Sequence, residues 1–160
     1  MAVFGGMVGD DLLPLYVVNR SNDGKGFDGR QFCTILQELY LPILEEKFPD
    51  GNYRILLDNC PAHRGAFMRE WQQDYPQLED KFLFLPPYSF NSSPIEQIWS
   101  LLKRALAHAV HHSTPTLTNA IVQEWDRIAG EEKPVLLRLC SSMFRRIDAV
   151  AQANGGPTRY

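Results

Sequence analysis

The sequence predicts an α/β protein, with helices packed on a small mixed sheet. Two observations carry this. Short apolar runs of strand length recur at residues 2–9, 12–18, 53–58 and 81–85. Between and after them lie segments whose apolar residues return every three or four positions, as on one face of a helix. The resulting order is strand, strand, helix, strand, helix, strand, helix, with two further helices at the end.

In the first strand pair, Leu13, Leu15 and Val17 alternate along the second member, and Gly9-Asp10-Asp11 between the two is hairpin chemistry. Pro14 points to an edge position or a late start, because it has no N–H to give a ladder. Residues 19–27 are a polar, Gly-rich loop. Asp28 then suits the N-cap of a helix in which Phe32, Ile35, Leu36, Leu39, Ile43 and Leu44 form one apolar stripe. Pro42 is expected to kink or divide that helix. Pro49-Asp50-Gly51-Asn52 reads as a turn, and Tyr53 to Asp58 as a buried strand ending in an acid. Residues 64–74 are helical in pattern, with Phe67, Met68 and Trp71 on one side. Lys81 to Leu85 is a strand stopped by Pro86-Pro87. From Pro94 a helix carries Ile95, Ile98, Trp99, Leu102 and Leu106 at the spacing of one apolar face. Residues 116–129 and 134–152 give two more helices, and Gly155-Gly156-Pro157 ends the ordered part.

A chain of 160 residues suits one domain, residues 1–160. With 44% hydrophobic and 22% charged residues, the composition is that of an ordinary globular protein. No apolar run approaches the roughly 20 residues that cross a bilayer, so no membrane partner is expected. The first six residues lack the basic and apolar regions of a signal peptide. Cys33, Cys60 and Cys140 are odd in number and far apart, which predicts reduced thiols, no disulfide framework and no zinc spacing. Net charge is −3. Residues 1–100 hold 8 basic and 14 acidic side chains, residues 101–160 hold 8 and 5. An acidic body with a mildly basic tail is compatible with a nuclease-like site, and equally with a bland surface.

Two acids stand out. Asp58 ends an apolar strand, and in open α/β sheets ligands gather at the carboxyl ends of strands. It also suits a cap on the following turn. Glu96 lies three residues after Ser93, with Pro94 between, which is the pattern of a capping box. A carboxylate in a first helical turn is also rigid enough to hold a metal. His63 can orient a carboxylate or contact phosphate, or serve as a buried structural histidine. His108, His111 and His112 lack a Cys or acid at regular spacing and fit a solvated helix end better than a metal shell. Lys103 and Arg104 can reach a phosphate backbone, or simply face solvent.

Taken together, these stretches resemble the catalytic (DDE endonuclease) domain of the mariner-like transposases, on the branch with two aspartates and a glutamate. Leu56-Leu57-Asp58-Asn59-Cys60-Pro61-Ala62-His63 is similar to the family's second-aspartate strand and its Asp-Asn-x-x-x-His ending. Phe84-Leu85-Pro86-Pro87-Tyr88-Ser89, followed by Pro94-Ile95-Glu96-Gln97-Ile98-Trp99, resembles the stretch before the family's third acid. Val3-Phe4-Gly5-Gly6-Met7 looks like its second strand, and Ser142-Met143-Phe144-Arg145-Arg146 with the Gly155–Tyr160 stretch looks like its C-terminal ending. The matches come in the family's order along nearly the whole chain.

The resemblance implies a ribonuclease-H-like fold and metal-dependent DNA strand cleavage and transfer. Asp58 would be the second acid and Glu96 the third, holding Mg2+ or Mn2+, with two ions in a complete site. It implies DNA partners (transposon ends and target), a possible homodimer, and a nuclear location in a eukaryote or a cytoplasmic one otherwise. Some features depart from the pattern. Phe90-Asn91-Ser92-Ser93 replaces the family's usual Pro-Asp-Leu-Asn, and 37 residues lie between Asp58 and Glu96, slightly more than is common. The strand bearing the family's first aspartate, central in its sheet, would precede Val3. Its absence predicts an N-terminally truncated chain, inactive alone, without the family's DNA-reading domains. Asp10 or Asp11, in a hairpin turn, is a poor substitute. The rival expectation is a domesticated nucleic-acid- or protein-binding module that keeps the fold without catalysis.

Overall fold

The computed structural model describes residues 1–18, 27–86, 93–107, 113–154, 156 and 158. Most of the predicted 19–27 loop, the 87–92 stretch, His108, His111, His112 and most of the Gly155–Tyr160 ending lie outside them. Two units interleave along the chain: Met1–Val3 with Tyr16–Tyr88, and Phe4–Leu15 with Ser89–Tyr160.

β1 (Ala2–Phe4), whose first two residues belong to the first unit, pairs with β4 (Tyr16–Val18). The helical segment then opens as predicted. Asp28 accepts the Gln31 N–H at 3.0 Å, and the Gln31 side chain accepts the Asp28 N–H at 3.2 Å, a complete capping box. Beyond α1 (Gly29–Ile35) the helical segment is divided just ahead of Pro42, as expected. A π-helical turn, Leu36–Tyr40, precedes α2 (Leu41–Lys47), and the Leu41 N–H reaches back five residues to the Leu36 carbonyl. The widened turn relieves the crowding that a proline ring imposes on the carbonyl four residues earlier. It also resets the buried face. Phe32, Leu36, Tyr40 and Leu44 are buried at steps of four. An α-helix alone would drift roughly 40° per such step. Hence Tyr40 and Leu41 enter the core, while Leu39 and Ile43, expected there, are half-buried.

Strand β5 (Ile55–Leu57) runs parallel to β6 (Phe82–Phe84), with Leu56 opposite Leu83. The predicted buried strand is two-faced. Leu57 is 7% exposed, but Leu56 is 48% and its partner Leu83 49%. Ile55, Leu56 and Leu57 are all apolar, so their composition gives no sign that only alternate side chains are covered. Helices α3 (Pro61–Arg64) and α4 (Ala66–Asp74) follow β5, and a 3-10 turn, Pro76–Lys81, leads into β6.

The second unit holds β2 (Met7–Val8) and β3 (Asp11–Leu12), an antiparallel hairpin with Val8 opposite Asp11. Gly9 has φ +59° and Asp10 does not share the left-handed region, the pattern of a turn with glycine at its first central position. The two long predicted strands are therefore each split into two short ones. Pro14 lies in one gap and Gly5-Gly6 in the other. Gly5 has a packing reason: a Cβ there would lie 2.6 Å from Cη2 of Trp125 and 2.8 Å from Cη2 of Trp99. Those indoles stack with centroids 5.0 Å apart, and Trp125 Nε1 donates to the Leu13 carbonyl at 3.0 Å. Around them pack α5 (Ile95–Leu106), α6 (Thr114–Glu131) and α7 (Lys133–Gln152), burying Ile98, Leu102, Ile121, Ile128 and Leu136. Ser113 caps α6, its hydroxyl accepting the Thr116 N–H at 3.3 Å. Asp11 pairs with Lys133.

Candidate active site

Asp58 follows β5 directly, at the carboxyl end of a parallel strand pair. Three interactions fix that end. The Leu85 N–H donates to the Leu57 carbonyl at 2.8 Å, continuing the ladder past β6. The Asn59 amide donates to the Leu85 carbonyl at 2.6 Å, clamping the two strand ends together. Asp58 Oδ1 accepts the Cys60 N–H at 2.9 Å, closing an Asx turn before α3. The capping role considered for Asp58 is thus present, and it uses one oxygen. Among the described residues Oδ2 has no hydrogen-bond partner, and the side chain is 59% exposed. One oxygen is spent on orientation, and the side chain stays open to solvent.

The same Oδ1 lies 2.7 Å from Nδ1 of His63. His63 sits in the short α3, whose first residue, Pro61, has the φ that a helix start requires. Its ring is 6% exposed and packs 4.3 Å from Phe32 and 6.5 Å from Phe27, centroid to centroid. Burial lowers its pKa below the ordinary histidine value, outweighing the Asp58 charge and hydrogen bonding that raise it. Burial therefore favours the neutral imidazole in its contact with Asp58. Arg64 lies over the Phe84 ring at 4.2 Å, joining α3 to β6.

Glu96 belongs to the second unit, in the first turn of α5. The expected capping box is absent. Pro94 occupies the cap position in helical conformation with no side-chain cap bond, and the Glu96 N–H donates to the Ser93 carbonyl at 3.3 Å. A helix that starts one residue later than expected leaves Ser93 outside capping geometry. The Glu96 carboxylate is half-buried and makes no hydrogen bond or ion pair among the described residues. Its charge sits favourably at the helix N-terminus. Lys103 and Arg104 are exposed in the last turns of the same helix, Lys103 almost two full turns from Glu96 and on its face.

Two residues of this loop gain a role only from the structure. The pairing of β5 with β6 supplies the target of Asn59. Cys60 has no zinc spacing to another cysteine, yet Asp58, Cys60 and His63 offer an oxygen, a sulfur and a nitrogen, all within 4.8 Å of one another. The Asp-x-Cys-x-x-His spacing was the available signal.

Residues 24–118 match the DDE superfamily endonuclease family. The chain belongs to this superfamily. It is 33% identical over 104 residues to the transposable element Tc1 transposase of Caenorhabditis elegans. That alignment covers 64% of this chain and 36% of the relative, so the chain spans about a third of the curated transposase's length. Its structure is similar to the catalytic domain of the Mos1 mariner transposase, TM-score 0.75 at 14% identity over 98% of this chain and 75% of that one. Similar too are that catalytic domain with Raltegravir and Mg (0.75, 15%, 98% and 76%) and the Mos1 paired-end complex with Mn (0.74, 17%, 98% and 44%). The fold is ribonuclease-H-like, as the sequence resemblance implied.

Proposed function

We propose that these residues form the catalytic domain of a transposase that cleaves and joins DNA strands using Mg2+ or Mn2+ held by Asp58 and Glu96. The observation that carries this reading is Asp58. In a chain of the DDE superfamily, it stands at a clamped strand end with Oδ1 tied inward and the side chain open to solvent. The donor set fits the ion, because hard divalent cations prefer carboxylate oxygens. When bound, the ions activate an oxygen nucleophile and stabilise the departing oxygen. His63 is then a positioning residue that fixes the Asp58 carboxylate, and Lys103 and Arg104 meet the DNA backbone. Transposon ends and target DNA are the substrates, and two copies of the chain act together, by analogy with the Mos1 paired-end complex.

The test is Mn2+ titration followed by electron paramagnetic resonance. Asp58→Asn and Glu96→Gln should each weaken binding about tenfold or more. Equal Mn2+ affinity in all three proteins refutes the catalytic reading. DNA binding that survives both substitutions, with Mn2+ affinity unchanged, supports a binding module instead.

A further inference from the structure

We propose that Asp58, Cys60 and His63 form a binding site for one thiophilic divalent ion of the zinc type. The grouping is built by the backbone. The Asx turn holds the Cys60 amide 2.9 Å from Asp58 Oδ1. Pro61 starts α3 directly after Cys60, and Phe32 and Phe27 hold the buried His63 ring with Nδ1 2.7 Å from the same oxygen.

A tetrahedral zinc ion, with bonds of about 2.0–2.2 Å to oxygen and nitrogen and about 2.3 Å to sulfur, sets its ligands roughly 3.3–3.7 Å apart. The separations here, from 2.7 Å to no more than 4.8 Å, bracket that span. Small rotations of the exposed Asp58 and half-exposed Cys60 side chains would reach it while the buried ring stays in place. Three protein ligands leave a fourth position for water or a phosphate oxygen. The thiol divides the ions by class, since sulfur attracts zinc and is a poor ligand for magnesium. A zinc ion held here occupies Asp58 and withholds it from magnesium. That inhibitory consequence rests on the catalytic reading above; the binding itself does not.

The test is thiol chemistry on the full chain, with Zn2+ alone as the probe. Only the thiolate alkylates readily, and a coordinated sulfur is masked. Zn2+ should slow iodoacetamide labelling of Cys60, read by peptide mass spectrometry, about tenfold or more, while Cys140 keeps its rate and Mg2+ protects neither. Asp58→Asn should remove most of the protection. Because Asp58 is exposed, this variant disturbs the core less than His63→Ala, which empties space beside Phe32. An unchanged Cys60 rate in Zn2+, or protection that survives Asp58→Asn, overturns the site. The readout uses neither DNA nor activity. Failure of the Mn2+ titration would therefore refute the catalytic reading and leave the zinc site standing.

Discussion

Replacing Gly5 with alanine puts a methyl group where two tryptophans already meet. The new Cβ would lie 2.6 Å from Trp125 Cη2 and 2.8 Å from Trp99 Cη2. Carbon atoms in contact normally sit about 3.5–4.0 Å apart, so the indoles or the backbone between β1 and β2 must yield by about 1 Å. Neither ring has an easy retreat. Trp125 is 2% exposed, stacked on Trp99 and bonded through Nε1 to the Leu13 carbonyl. Overpacking of this kind costs about 1–3 kcal/mol. Tilting Trp125 away from Leu13 adds about 1 kcal/mol for the lost hydrogen bond. The expected loss is roughly 2–4 kcal/mol, enough to lower the urea midpoint by on the order of 1–2 M at a typical slope. Tryptophan fluorescence follows the transition directly. In a Trp125→Phe background the cost of Gly5→Ala should shrink by about 1 kcal/mol or more, because the smaller ring leaves room for the methyl. A loss under about 0.5 kcal/mol in the parent, or no coupling to Trp125, refutes the packing argument.

Asn59→Ala removes the 2.6 Å bond that clamps β5 to the end of β6. It should cost about 1 kcal/mol in denaturant unfolding and weaken Mn2+ binding through a loosened Asp58, and unchanged affinity would separate the clamp from the site. Asp28→Ala deletes the side-chain half of the α1 capping box, the bond from the Gln31 N–H, and keeps the backbone N–H that donates to Gln31. It should destabilise the chain by about 1 kcal/mol, with faster amide exchange confined to the first turn of α1, and a loss no larger than at an exposed control position counts against the cap. Burial pushes the Cys33 thiol up to about 11, so almost none is thiolate at pH 8. Raising the pH toward 11 should accelerate its alkylation, whereas rapid labelling of Cys33 at pH 8 in the folded protein would contradict its burial.

Patterns set by neighbouring residues were legible in the sequence. Asp28 with Gln31 made the expected capping box, Gly9 took the hairpin turn, and the apolar face from Ile95 to Leu106 became α5. What failed depended on three-dimensional partners. Ser93-Pro94-Ile95-Glu96 fits a capping box on paper, yet Pro94 takes the cap position itself. The π turn before Pro42 moved the buried face onto Tyr40 and Leu41, a shift that ideal helical periodicity does not contain. The gap at Gly5 comes from tryptophans 94 and 120 residues away in sequence. At the site, Asp58 and Glu96 were singled out by strand end, helix start and motif order, and His63 by its distance from Asp58. The purposes of Asn59 and Cys60 appear only once β5 lies beside β6 and the Asx turn is formed.

The most direct measurement is anomalous diffraction from a crystal of the chain soaked in Mn2+. The account predicts manganese density bonded to an Asp58 carboxylate oxygen, with a Glu96 oxygen on the same ion or on a second one roughly 4 Å away. Two carboxyl groups standing well over about 10 Å apart, with no manganese touching either, would contradict it.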